Sequence, residues 1–119
     1  MKYIILLFTC FFLSCMHSRL DKETISKHLK DIGSDTTYSY LPAAGFIANE
    51  DAAVEIAEPI LFNIYGEDHV TDQKPYQVNL IDSVWVVNGT LPINYTNGGT
   101  FFIALNKKDG KVLHISHGK

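Results

Sequence analysis

The run NEDAAVEIAEPILFNIYG, from Asn49 to Gly66, decides how the rest of the chain folds. At about 100° per residue, Ala53, Ile56, Ala57, Ile60 and Ile64 fall on one side with Leu61 at the margin, the pattern of an amphipathic helix with one face to bury. Asn49 is placed to cap the first turn, and Glu50 and Asp51 sit where the positive end of the helix dipole favours carboxylates. Gly66 can take the left-handed conformation that ends a helix. Pro59 interrupts the pattern. An interior proline loses the hydrogen bond to the Glu55 carbonyl and clashes with it, which costs roughly 3 kcal/mol. The apolar stripe keeps its phase across Pro59, so a kink is expected rather than a break. Phe62 falls nearly opposite the stripe, among Glu55, Glu58 and Pro59, where something must cover it.

After Gly66 the chain passes through Glu67 to Pro75, read as a polar loop whose Glu67, Asp68, Asp72 and Lys74 stay in water. From Tyr76 the hydrophobic period changes to two. Tyr76, Val78 and Leu80 alternate with Gln77 and Asn79, Asp82-Ser83 can turn the chain, and Val84 to Thr90 is a second run rich in β-branched residues around Trp85. These two runs predict a hairpin. Leu91 to Gly99 is a loop, marked by Pro92 and Asn97-Gly98-Gly99. Phe101, Ile103 and Leu105 then alternate with Phe102 and Ala104, so the third strand is apolar on both faces, as a central strand would be. Lys107-Lys108-Asp109-Gly110 is a hairpin signal, either a two-residue turn or a type I turn with Gly110 in a bulge, returning Val112 to Ser116 beside the third strand.

Upstream, Leu20, Ile25, Leu29 and Ile32 form a narrow stripe before Gly33, and Ser18 and Asp21 have capping-box spacing. Arg19 to Ile32 is read as a short helix that must dock to persist. Phe62 is one place for it: packed beneath Ile25 and Leu29, Phe62 would be core, whereas exposure would leave it to a partner. Gly33 to Ala48 is irregular, with Tyr38, Tyr40 and Phe46 as packing residues and Phe46 or Ile47 as a staple on the main helix. The fold class is therefore α+β: two helices followed by a four-stranded antiparallel meander, a curved sheet packed against the main helix.

The first fifteen residues differ from the rest. Lys2 is their only charge, and an apolar run from Tyr3 to Leu13 leads into Ser14-Cys15, which fits a secretory signal and is too short to span a bilayer of about 30 Å. A small residue before a cysteine resembles the lipobox of bacterial lipoproteins, in which the cysteine is lipidated and becomes the new amino terminus. Phe12 departs from the leucine usual at its position. On this reading residues 1–15 are a leader ending at a lipid attachment site, Cys15, and 16–119 are a single domain, exported and anchored at the cell envelope. Cys10 would be lost with the leader, so no internal disulfide remains. Without Lys2, 9 basic residues face 13 acidic ones, a formal charge of −4 that disfavours nucleic acid and favours a basic partner.

No catalytic constellation emerges. His114 and His117, three apart on a strand, point to opposite faces and cannot chelate one ion there, while His17, His28 and His69 are scattered in tether, helix and loop. No serine sits in a Gly-x-Ser-x-Gly turn, and Asp82 with His114 is an acid–base pair only if the fold joins them. Neither metal nor cofactor is expected. What remains is a surface: Glu50, Asp51, Glu55, Glu58, Glu67 and Asp68 cluster along the main helix and the loop after it. This is either a solvated helix face or a patch that steers a basic partner, with Phe62 or Tyr65 as aromatic anchor.

The segments Gly45-Phe46-Ile47-Ala48-Asn49-Glu50, Ala57-Glu58, Ile64-Tyr65-Gly66-Glu67, Gln73-Lys74-Pro75-Tyr76, Val84-Trp85, Gly89-Thr90-Leu91-Pro92, Asn106 to Val112 and Ser116-His117-Gly118-Lys119 stand in an order and spacing that resemble the immunity-protein family with a nuclear transport factor 2-like fold. That family is associated with bacterial polymorphic toxin systems. The resemblance spans Gly45 to Lys119 and implies a curved antiparallel sheet against helices and a role in binding and neutralising a cognate protein toxin, without catalysis. Glu55, Glu58, Phe62, Tyr65, Glu67 and Asp68 are then the candidate partner-binding residues. The alternative is a periplasmic small-ligand or inhibitor module similar to the PepSY type, suggested by the final Asp-Gly hairpin.

Overall fold

A computed structural model describes residues 18–33, 39–92 and 98–118. Residues 1–15, which include Cys10 and Cys15, and His17 and Tyr38 lie outside the described residues. The chain divides into two compact units, Met1–Tyr38 and Ser39–Lys119.

The first unit contains α1 (Lys22–Ile32). Its cap is Asp21, not Ser18: the Asp21 carboxylate accepts hydrogen bonds from the Thr24 backbone N–H at 2.8 Å and the Thr24 hydroxyl at 2.9 Å. The helix therefore starts three residues later than Arg19. Its stripe of Leu20, Ile25, Leu29 and Ile32 stays exposed.

The second unit contains α2 (Glu50–Tyr65), α3 (Glu67–Thr71) and strands β1 (Gln77–Ile81), β2 (Val84–Asn88), β3 (Phe101–Asn106) and β4 (Val112–His117). The strands form one antiparallel sheet in the order β1-β2-β3-β4. This is the expected meander, with α3 as an added element. A five-residue helix carries no periodic signature, and the reason it forms is Val70, which is fully buried while Glu67, Asp68 and His69 face solvent. Gly66, at φ +88°, separates α2 from α3, and its carbonyl accepts from the Val70 N–H.

Asn49 caps α2 as its sequence implies, its side-chain oxygen accepting from the Ala52 N–H at 2.9 Å. The buried face is rotated from the expected one. Ala53, Ala57 and Leu61 are fully buried, Val54, Ile56, Ile60, Phe62 and Tyr65 flank them, and Ile64 is 50% exposed. The two alanines put little bulk between helix and sheet, so the line through 53, 57 and 61 can approach most closely and Phe62 becomes a flank of the core. Pro59 falls on the solvent side with Glu55 and Asn63, and α2 runs through it unbroken. A carbonyl that loses its helical partner there can bond water.

Against α2 lie Trp85, Val87, Phe101, Ile103 and Leu105, all buried. Each such side chain contributes about 1.5–3 kcal/mol on leaving water. The alternate positions form the other face: Asn79 and Ile81, Val84 and Val86, Phe102 and Ala104, His114 and Ser116, as the register Asn79↔Val86, Val86↔Ala104 and Ala104↔His114 requires. The β1–β2 turn is the expected Asp82-Ser83, both residues at positive φ (47° and 63°). The β3–β4 turn is the wider of the two forms considered, with Gly110 at φ +75° donating its N–H to the Asn106 carbonyl.

The segment before α2 is fastened to that turn. Phe46 and Ile47 donate their N–H groups to the Lys108 and Lys107 carbonyls, and the Trp85 indole N–H donates to the Ile47 carbonyl at 2.8 Å in the interior. Ile47, fully buried, is the staple, while Phe46 is exposed. Gly45 has φ +79°, and a Cβ there would run into the Lys107 carbonyl. Gly45→Ala is therefore expected to destabilise the unit by about 2 kcal/mol, through both the left-handed backbone and the clash. Urea unfolding should show a lower midpoint with an unchanged slope; an unshifted midpoint would contradict this account.

Candidate functional site

One end of the sheet is gathered around a single buried polar side chain, Gln73, which is 5% exposed. It follows α3 directly. Its Oε1 accepts from the Phe101 backbone N–H at 2.9 Å, at the start of β3, so its amide nitrogen must point the other way. That nitrogen donates to the His69 carbonyl at 3.2 Å and lies 3.4 Å from Nε2 of His117 at the end of β4. The Gln73 carbonyl accepts from the Thr90 N–H at 2.9 Å, just past β2. Gly89 beside it has no room for a side chain, because a Cβ would strike the Gln73 amide. The exit of β2, the start of β3 and α3 are thus joined through one residue, whose side chain also approaches the end of β4.

A cleft of about 450 Å³ opens beside this junction, lined by His69, Asp72, Gln73, Thr90, Leu91, Pro92, Gly98, Gly99 and His117. Nε2 of His69 lies 3.0 Å from Nε2 of His117. The rings of His69 and His117 stack with centroids 5.0 Å apart, and the Tyr65 ring packs against His117 in a tilted arrangement at 5.2 Å. Nδ1 of His117 lies 2.8 Å from the Gly118 carbonyl, so this nitrogen carries the proton and Nε2 keeps its lone pair. Sequence separation hid this pair: the two residues are 48 apart, and only α3 and the register of β4 bring them together. The available signal lies in three of the family-like segments, which meet here through Gln73, Thr90 and His117. His114, by contrast, lies on the other sheet face, against the edge of Phe102 at 6.0 Å, as the strand period demands. Asp82 and His114 belong to opposite edges, β1–β2 and β4, and form no acid–base pair.

The candidate partner-binding residues divide into two groups. Glu55, Glu67 and Asp68 are exposed. Glu58, Phe62 and Tyr65 are half-buried and used by the unit itself. Phe62 and Tyr65 pack on its core. Glu58 accepts a hydrogen bond from the Tyr76 hydroxyl at 3.0 Å and lies 3.7 Å from the Lys74 ammonium. Cys15 lies outside the described residues.

This helix-on-sheet unit is an α+β protein built on a four-stranded meander, and residues 52–119, which hold nearly all of it, match the model of the NTF2 fold immunity protein. The chain belongs to that family, whose role is immunity. It is also similar to two uncharacterized Escherichia coli K12 proteins: YhhH, 38% identical over 73 residues that cover 61% of this chain and 58% of the relative, and YbbC, 36% identical over 73 residues that cover 61% and 60%. The chain thus spans less than two thirds of the length of these curated relatives. No solved structure matches it.

The Tyr76 hydroxyl is held well above its ordinary pKa of 10.0, first by burial, then by its hydrogen bond to Glu58 and the Glu58 charge. A pKa raised in the folded state gives stability that is complete below the unfolded value and lost as pH rises beyond it. Stability is expected to fall from about pH 10 upward, and Tyr76→Phe should flatten that alkaline limb. Urea midpoints measured between neutral and alkaline pH check this; an equally steep limb in the variant would refute it.

Proposed function

We propose that the protein neutralises a bacterial toxin by binding it directly, while lipid on Cys15 holds it at the cell envelope. The observation that carries the first part is membership of an immunity family across residues 52–119. The anchor rests on the leader and on the cysteine that ends it. Buried acyl chains contribute about 0.8 kcal/mol per methylene, so more than one chain on Cys15 would give stable attachment.

For the docking surface, the open sheet face is a better candidate than the acidic helix row. Glu58, Phe62 and Tyr65 are engaged inside the unit, which leaves Glu55, Glu67 and Asp68 as exposed charges without an aromatic anchor. The open face has no formally charged residue at Gln77, Asn79, Ile81, Val84, Val86, Asn88, Phe102, Ala104, His114 or Ser116. Phe102, on the central strand β3, is 38% exposed and Ile81, on the edge strand β1, is 58% exposed. Apolar and aromatic groups at the centre, uncharged polar groups around them and depletion of charge are the composition of an interface core. The carboxylates of α2 and α3 keep the role of attracting a basic toxin from a distance.

Co-expression with the toxin encoded beside its gene should restore growth, and the two proteins should co-purify. Combining Ile81→Asp with Phe102→Asp, both at exposed positions, is expected to abolish rescue with the fold intact by circular dichroism, whereas Glu55→Lys with Glu67→Lys should only slow association. Rescue lost in the lysine variant and kept in the aspartate variant would move the docking surface to the helices. No rescue by the folded, exported wild type would defeat the toxin-binding reading itself. For the anchor, Cys15→Ala should abolish metabolic labelling with palmitate, and label retained in that variant would reject the site.

A further inference from the structure

We propose that His69 and His117 form a two-histidine site for a divalent transition-metal ion, with Cu²⁺ and Ni²⁺ ahead of Zn²⁺. Two Nε2 atoms 3.0 Å apart are spaced as neighbouring ligands of one ion. With metal–nitrogen bonds of about 2.0–2.1 Å the angle at the ion is roughly 95°, which suits adjacent positions of a tetragonal or octahedral centre better than a tetrahedral one. Imidazole nitrogens suit these ions, and affinity rises toward Cu²⁺ along the first-row series.

The surroundings prepare His117 for this task. Its Nδ1–H donates to the Gly118 carbonyl at 2.8 Å, the support that ligating histidines generally have, and this leaves the Nε2 lone pair bare. The Gln73 amide, fixed by its bond from Phe101, turns an N–H toward that nitrogen at 3.4 Å, too long for a strong competing bond. The Tyr65 ring, with its centroid 5.2 Å from that of His117, restricts it further. His69 lies on the exposed side of α3, so the ion has an entry path and His69 has freedom to adjust. Without an ion, the same two nitrogens can share one proton, His69 Nε2–H donating to His117. Among the described residues no third histidine, cysteine or carboxylate completes the set. The remaining positions face the cleft and fall to water or to an incoming ligand.

The site does not depend on the toxin reading, since ion binding and growth rescue are separate measurements. Calorimetric titration of the purified, tag-free protein with CuCl₂ and NiCl₂ should show one ion per chain. His69→Gln and His117→Ala should each weaken binding at least tenfold. A variant with His17, His28 and His114 all replaced by alanine should bind as the wild type does. Electron paramagnetic resonance of the Cu²⁺ form should show nitrogen ligands that His69→Gln reduces. Absence of stoichiometric binding to the wild type, or binding retained in both single variants, would overturn the proposal. His69→Gln guards against loss of fold, because its side chain is exposed.

Discussion

The interaction on which this end of the molecule depends is the buried amide of Gln73. An amide leaving water without partners would cost several kcal/mol. Here its oxygen accepts from Phe101, its nitrogen donates to the His69 carbonyl, and its own main-chain carbonyl accepts from Thr90. Those partners belong to the start of β3, to α3 and to the exit of β2, segments far apart in the chain. Each would otherwise carry an unsatisfied backbone group at a strand or helix end. The amide thus replaces ladder bonds where the sheet stops, and Gly89 has to be glycine because the amide occupies the space of a side chain there. Positioning of the His69–His117 pair follows from this, since Gln73 touches both residues.

Local features could be read from the chain, and features set by contact between distant segments could not. Both ends of α2 follow from Asn49 and Gly66, whose effects reach only one turn. The hairpins follow from Asp82-Ser83 and Asp109-Gly110 for the same reason. The phase of α2 differs from the one periodicity predicts because periodicity counts apolar residues equally, whereas the sheet selects the side on which Ala53 and Ala57 allow close approach. Phe62, which looked stranded opposite the stripe, is a flank of the true face. α3 is not legible in the sequence because five residues make too little periodicity to distinguish from a loop, and Val70 is one apolar residue among polar ones. The site is hidden for a related reason: read as part of a loop, His69 has no defined distance from His117.

Charge is divided between the two sides of this unit. Glu50, Asp51, Glu55, Glu67 and Asp68 are exposed on α2 and α3, while the sheet positions facing away from α2 carry no formal charge. A carboxylate on the open face would stand across the ladder from Val84, Val86 or Phe102, with little water on that side of it. A carboxylate on the solvent side of a helix is fully hydrated and, near the start of α2 or α3, favourably placed in the helix dipole. The separation therefore has a structural origin before any partner is invoked. It also leaves the sheet with the low desolvation cost that a docking surface needs.

β4 shows how one strand serves both sides. The β3–β4 turn fixes Asn106 opposite Lys111, its N–H donating to the Lys111 carbonyl at 2.8 Å. Regular pairing from there would set Leu105 opposite Val112 and then place His114 beside Ile103, facing the core, with Ile115 and His117 turned outward. A bulge between Ala104 and Leu105 adds one residue on the β4 side, and the observed register becomes Ala104↔His114, Ile103↔Ile115 and Phe101↔His117. One extra residue reverses every side chain that follows it. Ile115 enters the core, His114 joins the open face, and His117 reaches the cleft where His69 and Gln73 meet it. Pairing without the bulge, with Leu113 opposite Ala104, would turn His114 toward the core and Ile115 out of it, a cost that core and cleft would bear together. The position of the cleft histidine is thus locked to the packing of the core by a single irregularity in the sheet.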